Sequence, residues 1–320
     1  MSKNPVLKSI RSVVKKSRFV RINQENLSNF CKSFELKEKK FWLEVAPFEI
    51  PEFDRERQLS FLFLLSSLLF CFWGKPKWKV KYKGSFYDGA WGLIAAFLKA
   101  IEKGFSILDW KYLAKIPESD LREIFKGNVE IPLFKERLKI LRENGKILIE
   151  KFEGKVSNLL KEGKSDALRI LNLITKNFPS FNDFAIYKGC KVFFHKKAQL
   201  FIRDANEVLK RIGFEGLKNV DQITAFGDYK IPWILRKFGI LEYSPELAKK
   251  IDNRIEIKAG SEEEIEIRAN AIWAIELMKR EIQKKIPKIS APDIDSWLWL
   301  KSQQKSPDDK PYHLTRTIFY

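Results

Sequence analysis

The segment Phe226-Gly227-Asp228-Tyr229-Lys230-Ile231-Pro232 places an aromatic ring, a glycine, a carboxylate, a phenol and a cation side by side. Glycine permits a sharp turn, and Pro232 suits the first turn of a helix that continues as Trp233-Ile234-Leu235. Asp228 would then stand at a loop-to-helix junction between two rings, where a flat polar ligand can be stacked and hydrogen-bonded. The same position also suits a carboxylate that caps the helix. The local sequence leaves both roles open.

A second acidic residue, Asp295, lies in the apolar segment Asp293-Ile294-Asp295-Ser296-Trp297-Leu298-Trp299. On a helix, Asp295 and Trp299 are one turn apart and share a face. An acid beside an indole in such a segment is a candidate for a desolvated carboxylate with a functional role. Acids also favour the first helical turn, where they complement the helix dipole, so a structural role is equally compatible.

A second polar cluster is formed by Ser180-Phe181-Asn182-Asp183 and Phe194-His195-Lys196-Lys197-Ala198-Gln199. Lys196 and Lys197 are suited to meeting a phosphate as point charges, although adjacent lysines are also common on solvated helix faces. The chain has no GxxxxGK[ST] loop, no GxGxxG motif after a strand and no HExxH helix. The sequence therefore gives no support to a P-loop kinase, a Rossmann dehydrogenase or a zinc protease.

Histidine and cysteine are too few for several common site types. His195 and His313 are the only histidines, which argues against a histidine triad or a histidine-rich metal centre. Cys31, Cys71 and Cys190 are far apart, odd in number and without CxxC spacing, so they indicate neither a disulfide framework nor zinc. We expect acid–base chemistry to fall to carboxylates, lysines or tyrosines, and we expect no metal and no other cofactor.

The chain has 320 residues, of which 45% are hydrophobic, so it can build a substantial core. Its net charge of +19 suggests an anionic partner, but the lysines are scattered along the chain rather than clustered. The N-terminus lacks the apolar core of a signal peptide. The uncharged stretch Gln58–Gly74 is shorter than the ~20 residues of a membrane span. We predict a buried helix there, no membrane contact and a cytoplasmic protein.

The spacing of hydrophobic residues and the positions of glycine, proline and capping residues predict a mainly helical chain with a small β element. Alternation over Trp78–Tyr82 before Lys83-Gly84 predicts a strand and hairpin, and Lys188-Gly189 marks a second hairpin. No repeat or linker divides the sequence, so we predict a single domain over residues 1–320. Helices are predicted at about Asn26–Leu43, from Asp88 to near Gly104, and at Pro132–Asn144, Ser165–Asn177 and Val192–Ile212. Three more helices are predicted to begin after Ser244, after a capping box at Ser261–Glu264 and after Ser290. Gly145–Phe152 is predicted to be a short apolar segment.

A series of short motifs, spread over most of the chain, carries a family resemblance. They are Phe72-Trp73; Tyr82-Lys83-Gly84 with Gly89 and Trp91; Ile131-Pro132-Leu133 with Glu136-Arg137 and Leu141; Asn144-Gly145-Lys146-Ile147-Leu148; Phe178-Pro179-Ser180 with Asp183; Lys196 to Gln199; Ile223-Thr224, Phe226, Asp228-Tyr229-Lys230 and Pro232; Glu264-Ile265-Glu266-Ile267-Arg268; Asp295 with Leu298-Trp299; and His313, Arg316 and Tyr320. In this order and spacing they resemble the queuosine salvage family, the queuosine 5′-phosphate N-glycosylases.

The resemblance implies one mostly helical domain similar to helix-hairpin-helix DNA glycosylases. It also implies hydrolysis of the N-glycosidic bond of queuosine 5′-monophosphate, which releases queuine for reuse in tRNA. The residues that match Phe226, Asp228 and Tyr229 line the base pocket in the family, and the residue that matches Asp295 is a nucleophile or transition-state stabiliser. A base-contacting histidine of some relatives is replaced by Pro47.

These implications define our candidate residues. We take Asp295 and Asp228 as the catalytic candidates. The substrate-binding candidates are Phe226, Asp228, Tyr229, Asp295, Trp299, Asp183, Lys196, Lys197 and Lys230, with the three lysines as alternatives for the 5′-phosphate.

We expect a monomer that acts on a small-molecule substrate and forms no stable nucleic-acid complex. The alternatives are a helix-hairpin-helix DNA glycosylase or a non-catalytic nucleic-acid-binding protein, which the basic charge favours, and a scaffold protein without a pocket. A steep salt dependence of duplex binding would support a nucleic-acid-binding role.

Overall fold

A computed structural model describes residues 4–36, 41–304 and 306–320. The chain divides into two compact units. The first comprises Met1–Val45, Asp183–Gln199 and Asn219–Thr317, and the second Ala46–Asn182, Leu200–Lys218 and Ile318–Tyr320. A single domain over residues 1–320 stays a prediction.

Helices dominate the described residues, as the sequence predicts. None of them is long and apolar enough to cross a membrane. In chain order they are α1 (Pro5–Lys16), α2 (Gln24–Ser33), α3 (Arg55–Leu68), α4 (Gly89–Glu102), α5 (Trp110–Leu113), α6 (Glu118–Ile124), α7 (Phe134–Phe152), α8 (Val156–Glu162), α9 (Ala167–Asn177), α10 (Lys196–Arg211), α11 (Lys230–Lys237), α12 (Pro245–Asp252), α13 (Glu262–Ile282) and α14 (Ala291–Lys301).

The strands form small antiparallel pairs. They are β1 (Val20–Ile22), β2 (Lys79–Tyr82), β3 (Ser85–Asp88), β4 (Phe184–Tyr187), β5 (Cys190–Phe193) and β6 (Leu241–Tyr243). β2–β3 and β4–β5 are the two predicted hairpins, which turn at Lys83-Gly84 and Lys188-Gly189. The third pair, β1 with β6, joins residues too distant in sequence for local patterning to reveal. The mainly helical fold class is confirmed, and the likeness to helix-hairpin-helix glycosylases stays a prediction.

Helix α13 runs through the core of the first unit. It is buried on every side from Glu264 to Ile272, and it packs against α1, α2, α11 and α14. Such a helix can carry polar groups only if each finds a partner. Glu266, for example, accepts hydrogen bonds from the backbone N–H groups of Arg18 and Phe19 and from the Tyr187 hydroxyl. The polar residues of α13 therefore tie other segments to it.

The second unit has its own aromatic core, to which α3 contributes Phe61 and Phe63. Every residue of α3 from Leu59 to Leu68 is buried, which confirms the prediction of a core helix. Phe63 stacks on Phe181 with ring centroids 5.0 Å apart, and it meets Trp110 edge-on at 5.5 Å. The uncharged stretch in the sequence thus reflects burial within the protein.

Helix α7 differs from its prediction because it continues through Gly145 to Phe152. A Cβ atom at Gly145 would lie 2.5 Å from the backbone nitrogen of Ala114, next to α5. Glycine therefore allows two helices to approach closely here, and it does not end the helix. Local propensity alone favours an interruption, since glycine is a poor helix former.

Other element boundaries also move. Helix α10 begins at Lys196 rather than Val192, because Cys190–Phe193 pairs as strand β5. Helix α2 ends at Ser33, and residues 37–40 of the predicted helix lie outside the described residues. Helix α1, which begins after the Asn4 cap, was absent from the sequence predictions.

The predicted capping box is found at a different helix. Ser261 caps α13, but the Glu264 carboxylate accepts from the backbone of Gly260 rather than from Ser261. The reciprocal pair is instead Ser290 with Asp293, at the start of α14. Both sequences fit the motif, and the local packing of the acidic side chain decides which one completes it.

Candidate active site

The loop before α11, residues 223–229, is anchored by side chains of three helices. The backbone N–H of Thr224 donates to Gln199 of α10 over 3.0 Å. The Thr224 hydroxyl donates to Glu276 of α13 over 2.6 Å. The N–H of Phe226 donates to Oδ2 of Asp295 in α14 over 2.9 Å. Because buried backbone groups require partners, these bonds define the course of a loop that lacks secondary structure.

Asp228 caps α11 and also keeps an accessible side. Its Oδ1 accepts hydrogen bonds from the backbone N–H groups of Lys230 and Ile231, over 2.8 and 3.0 Å. This is the capping role that the sequence left open. Its side chain is only partly buried, and among the described residues none donates a hydrogen bond to its Oδ2. Oδ2 is therefore available to a ligand while Oδ1 holds the helix.

Asp295 lies in the second turn of α14 and is 97% buried, with 3% of its surface exposed. The Ser290 cap, which precedes Pro292 in the first turn, sets the start of this helix and hence the direction of Asp295. The hydrogen bond from Phe226 places Asp295 beside the loop that carries Asp228 two residues further on. The two catalytic candidates therefore converge on one loop.

Lys196 is a buried cation near these acids. Burial lowers the pKa of its ammonium, and the nearby charge of Arg268 lowers it further, whereas the carboxylates of Asp228, Asp295 and Asp183 raise it. Lys196 is therefore electrostatically coupled to all three acids. Its backbone nitrogen lies 3.4 Å from Oδ2 of Asp183.

Arg268 of α13 bonds both Asp183 and the loop that carries Asp228. Its guanidinium forms a bidentate ion pair with Asp183, with distances of 3.0 Å from Nη1 to Oδ1 and 2.6 Å from Nη2 to Oδ2. Its Nε donates to the carbonyl of Gly227 over 3.0 Å. Both oxygens of Asp183 are engaged by Arg268, so Asp183 serves here to hold the arginine. Arg268 also helps to keep His313 neutral, because burial and this neighbouring charge lower the pKa of the imidazole to about 3.

Aromatic side chains flank the carboxylates. The rings of Tyr229 and Tyr312 lie 4.8 Å apart between centroids, at 37°. Trp299, one turn beyond Asp295, meets Trp42 edge-on at 5.5 Å. Phe226 is buried next to the Asp295 hydrogen bond. Rings in these places can stack on a flat base, since aromatic faces favour offset contact with other π systems.

The structure unites most of the predicted residues. Its contacts group Asp228, Asp295, Phe226, Asp183 and Lys196. The other four candidates follow them along the chain: Tyr229 and Lys230 come after Asp228, Lys197 comes after Lys196, and Trp299 lies one helical turn after Asp295. Lys197 is fully buried, whereas Lys230 is partly exposed and its ammonium lies 5.6 Å from the centroid of the Trp233 ring.

Sequence reasoning gave no role to several residues that build the site. Arg268 was noted only as a match to the family, His313 as one of the two histidines and as such a match, and Glu276 and Tyr312 were not noted. Arg268 had a usable signal, because it stands four residues after Glu264 in a helix otherwise rich in isoleucine and alanine. A charge in such a segment must be paired when buried. Its partner Asp183 is too distant in sequence to be recognised locally.

Comparisons with known proteins identify the family of this chain. The sequence profile of the family described as "Queuosine salvage protein" matches residues 50–320. The chain is 36% identical over 323 residues to the queuosine 5′-phosphate N-glycosylase/hydrolase of Sphaerobacter thermophilus, covering 98% of this chain and 97% of that protein. It is 36% identical to the protein of the same name from Mus musculus, covering 83% and 82%, and 33% identical to that of Dictyostelium discoideum, covering 95% of each. The chain therefore belongs to the queuosine salvage protein family.

Proposed function

We propose that this protein is a hydrolase that cleaves the N-glycosidic bond of queuosine 5′-monophosphate and releases queuine. Relatives named for this activity match the chain over 97% and 95% of their own length. The observation that carries the proposal is the hydrogen bond from Phe226 to Asp295, which joins a buried carboxylate to the loop of Asp228. This bond links two acids from different parts of the chain through one loop.

The reaction requires stabilisation of a positive sugar. Cleavage of a nucleosidic bond develops oxocarbenium charge on the ribose, as in glycoside hydrolysis. Asp295, buried and preoriented, is suited to act beside C1′, where one well-placed electrostatic group contributes roughly 3–4 kcal/mol. The C–N bond breaks, water adds its hydroxyl to C1′, and its proton ends on the ring nitrogen of the departing base, so the products are queuine and ribose 5-phosphate. Whether Asp295 forms a covalent intermediate does not alter this overall balance.

The base is recognised by the other acid. Queuine is a 7-deazaguanine, so its ring position 7 is a carbon and offers no nitrogen to protonate. Oδ2 of Asp228 would accept hydrogen bonds from the N–H groups of the guanine-like edge, while Phe226 and Tyr229 pack on the ring, as in pockets that hold an extruded base. Asp228 can do this without releasing α11, because its cap uses Oδ1.

The 5′-phosphate would be met by a lysine. Lys196, Lys197 and Lys230 remain the candidates, and Lys230 is favoured because its side chain is partly exposed. Lys196 is better suited to balancing the charge of the two carboxylates, both of which raise its pKa. A phosphate partner need not be buried, since a lysine acts as a mobile point charge.

The test is chromatographic. Queuosine 5′-monophosphate is incubated with the protein, and queuine and ribose 5-phosphate are measured together, with the nucleoside and the 3′-monophosphate as parallel substrates. We expect equal amounts of the two products from the 5′-monophosphate. Unchanged nucleotide, or release of phosphate with the nucleoside left intact, would refute the proposal.

A further inference from the structure

Arg268 is a buried side chain with protein contacts on its face and its edge. Its guanidinium is almost completely buried, with 3% of the side chain exposed. Its planar face lies over the ring of Phe194, with Cζ 3.9 Å from the ring centroid. Its edge forms the bidentate pair with Asp183, and Nη1 lies 3.4 Å from Oε1 of Glu264. Face and edge are both fixed, so the guanidinium has one orientation.

Through Asp183, Arg268 is linked to the segment that begins α10. The backbone carbonyl of Asp183 accepts from the N–H groups of Phe194 and His195, over 2.9 and 3.2 Å. Its Oδ2 also lies 3.4 Å from the backbone nitrogen of Lys196. The position of the Lys196 backbone, from which the buried ammonium extends, therefore depends on where Arg268 holds Asp183.

Through Gly227, the same guanidinium is linked to the loop of the base-binding candidates. The Gly227 carbonyl accepts from Nε of Arg268, between Phe226 on one side and Asp228 on the other. Gly227 has a φ of +59°, and a Cβ atom on it would lie 2.8 Å from Cδ1 of Ile272. The loop thus packs directly on α13 at Ile272, one helical turn after Arg268. The packing against α13 limits how closely the loop can approach this helix.

We propose that Arg268 is a positioning residue that sets the location of Asp228 and Phe226 relative to Lys196. This inference rests on the proposed function. A fork of five N–H donors is needed for this task, because one group must serve a carboxylate and a carbonyl in different directions. Lysine offers the charge without the fork, so it cannot replace arginine here. Asp183 belongs to the same device, as the partner that holds the arginine.

The main test compares two variants of buried charges on α13. Arg268→Lys keeps the charge but cannot bond Asp183 and Gly227 together. We expect kcat/KM for queuosine 5′-monophosphate to fall about 100-fold, the loss associated with misplacement of a reacting group by an ångström. We also expect the affinity for queuine, measured by calorimetry, to fall at least tenfold, since the contacts of Asp228 and Phe226 shift.

Glu266→Gln is the matched control, because Glu266 is equally buried on the same helix but bonds Arg18, Phe19 and Tyr187 rather than the loop. Both variants should lose thermal stability, and Glu266→Gln should keep kcat/KM and queuine affinity within threefold of the unmodified protein when assayed well below unfolding. Equal kinetic losses in the two variants would show a general effect of stability and would overturn the proposal.

Asp183→Asn supplies a second, milder probe that retains the side-chain volume. Asp183→Asn and Arg268→Lys disrupt the same contacts, so their effects on kcat/KM should overlap. The fold-loss in kcat/KM of the double variant should therefore be much smaller than the product of the two single fold-losses. If Arg268→Lys does not fold, Asp183→Asn is compared with Glu266→Gln in its place. Turnover that is independent of both residues overturns the positioning role alone, whereas absence of turnover in the unmodified protein overturns the proposed function.

Discussion

The backbone N–H of Phe226 donates a hydrogen bond to Oδ2 of Asp295 over 2.9 Å. Asp295 is thereby connected to two elements. Its carboxylate oxygen bonds the loop, and its backbone belongs to α14. The hydrogen bond ties the backbone of Phe226, the residue proposed to pack on the base, to the acid that would act at the sugar. A substitution at Asp295 must therefore preserve the acceptor if it is to test the charge.

Asp295→Asn meets that condition, because its amide oxygen can still accept from Phe226. We expect kcat for queuosine 5′-monophosphate to fall about 100- to 1000-fold, corresponding to roughly 3–4 kcal/mol of lost electrostatic stabilisation. Queuine affinity should change less than threefold. Asp293→Asn is the control on the same helix: it weakens the capping box and should cost about 1 kcal/mol of stability with turnover retained. Turnover of Asp295→Asn within tenfold of the unmodified protein would remove Asp295 from the mechanism.

Asp228→Ser separates the two functions of that residue. Serine is a good helix cap, so the free energy of unfolding should change by no more than about 1 kcal/mol. The variant loses the oxygen that would accept from the base, and a hydrogen bond to a charged group contributes about 1.5–3 kcal/mol. Queuine affinity, measured by calorimetry, should therefore fall about 10- to 100-fold.

Ser244→Ala is the control for loss of a cap, because Ser244 caps α12 through the N–H of Leu247. It should reduce stability by about 1 kcal/mol and leave queuine affinity unchanged. If Asp228→Ser binds queuine as tightly as the unmodified protein does, Asp228 is a cap and nothing more.

Gly227→Ala tests the contact between the loop and α13. Alanine at φ +59° is strained, and its Cβ would lie 2.8 Å from Cδ1 of Ile272. We expect a loss of about 2–4 kcal/mol in the free energy of unfolding, from strain and overpacking together. Gly260→Ala is matched for strain, since Gly260 has a φ of +75° and open space around its Cβ position. It should lose only about 1–2 kcal/mol.

A second substitution distinguishes the steric part. Ile272→Val removes the Cδ1 atom, so it should restore part of the stability of Gly227→Ala while slightly destabilising the unmodified protein. Urea unfolding of the four proteins provides the cycle. Strictly additive losses would mean that the two residues do not contact each other as described.

His313 should make the protein less stable in mild acid. Burial, reinforced by the charge of Arg268, lowers the pKa of its imidazole from 6.5 to about 3. Between these values the unfolded chain binds a proton that the folded protein does not, so the free energy of unfolding falls as the pH falls below about 6.5. Ordinary carboxylates titrate near pH 4, so the range of about pH 5 to 6.5 reports on the histidines.

His313→Gln should remove roughly one proton from this dependence, a slope of about 1.4 kcal/mol per pH unit. Urea unfolding at several pH values in that range measures the slope for both proteins. An identical slope with and without His313 would contradict a neutral, buried imidazole.

Local chemistry in the sequence determined much of the fold. The hairpin at Lys188-Gly189, the buried helix α3 and the caps at Ser244 and Ser290 all followed from turn residues, apolar runs and capping residues, because each depends on neighbours along the chain. The continuation of α7 through Gly145 was mispredicted because this glycine is required by a close contact with Ala114, which is distant in sequence. The pairing of β1 with β6 escaped prediction on the same ground.

The candidate site divides in the same way. Residue types and their resemblance to a family identified Asp228 and Asp295 as a pair, and residue spacing placed Trp299 beside Asp295. Tertiary structure alone decided that Asp228 caps a helix with one oxygen only, that Phe226 bonds Asp295, and that Arg268 links Asp183 to Gly227. Each of these contacts joins segments far apart in the chain, and the partner of a buried polar group is determined by which segments the folded core brings within hydrogen-bonding distance.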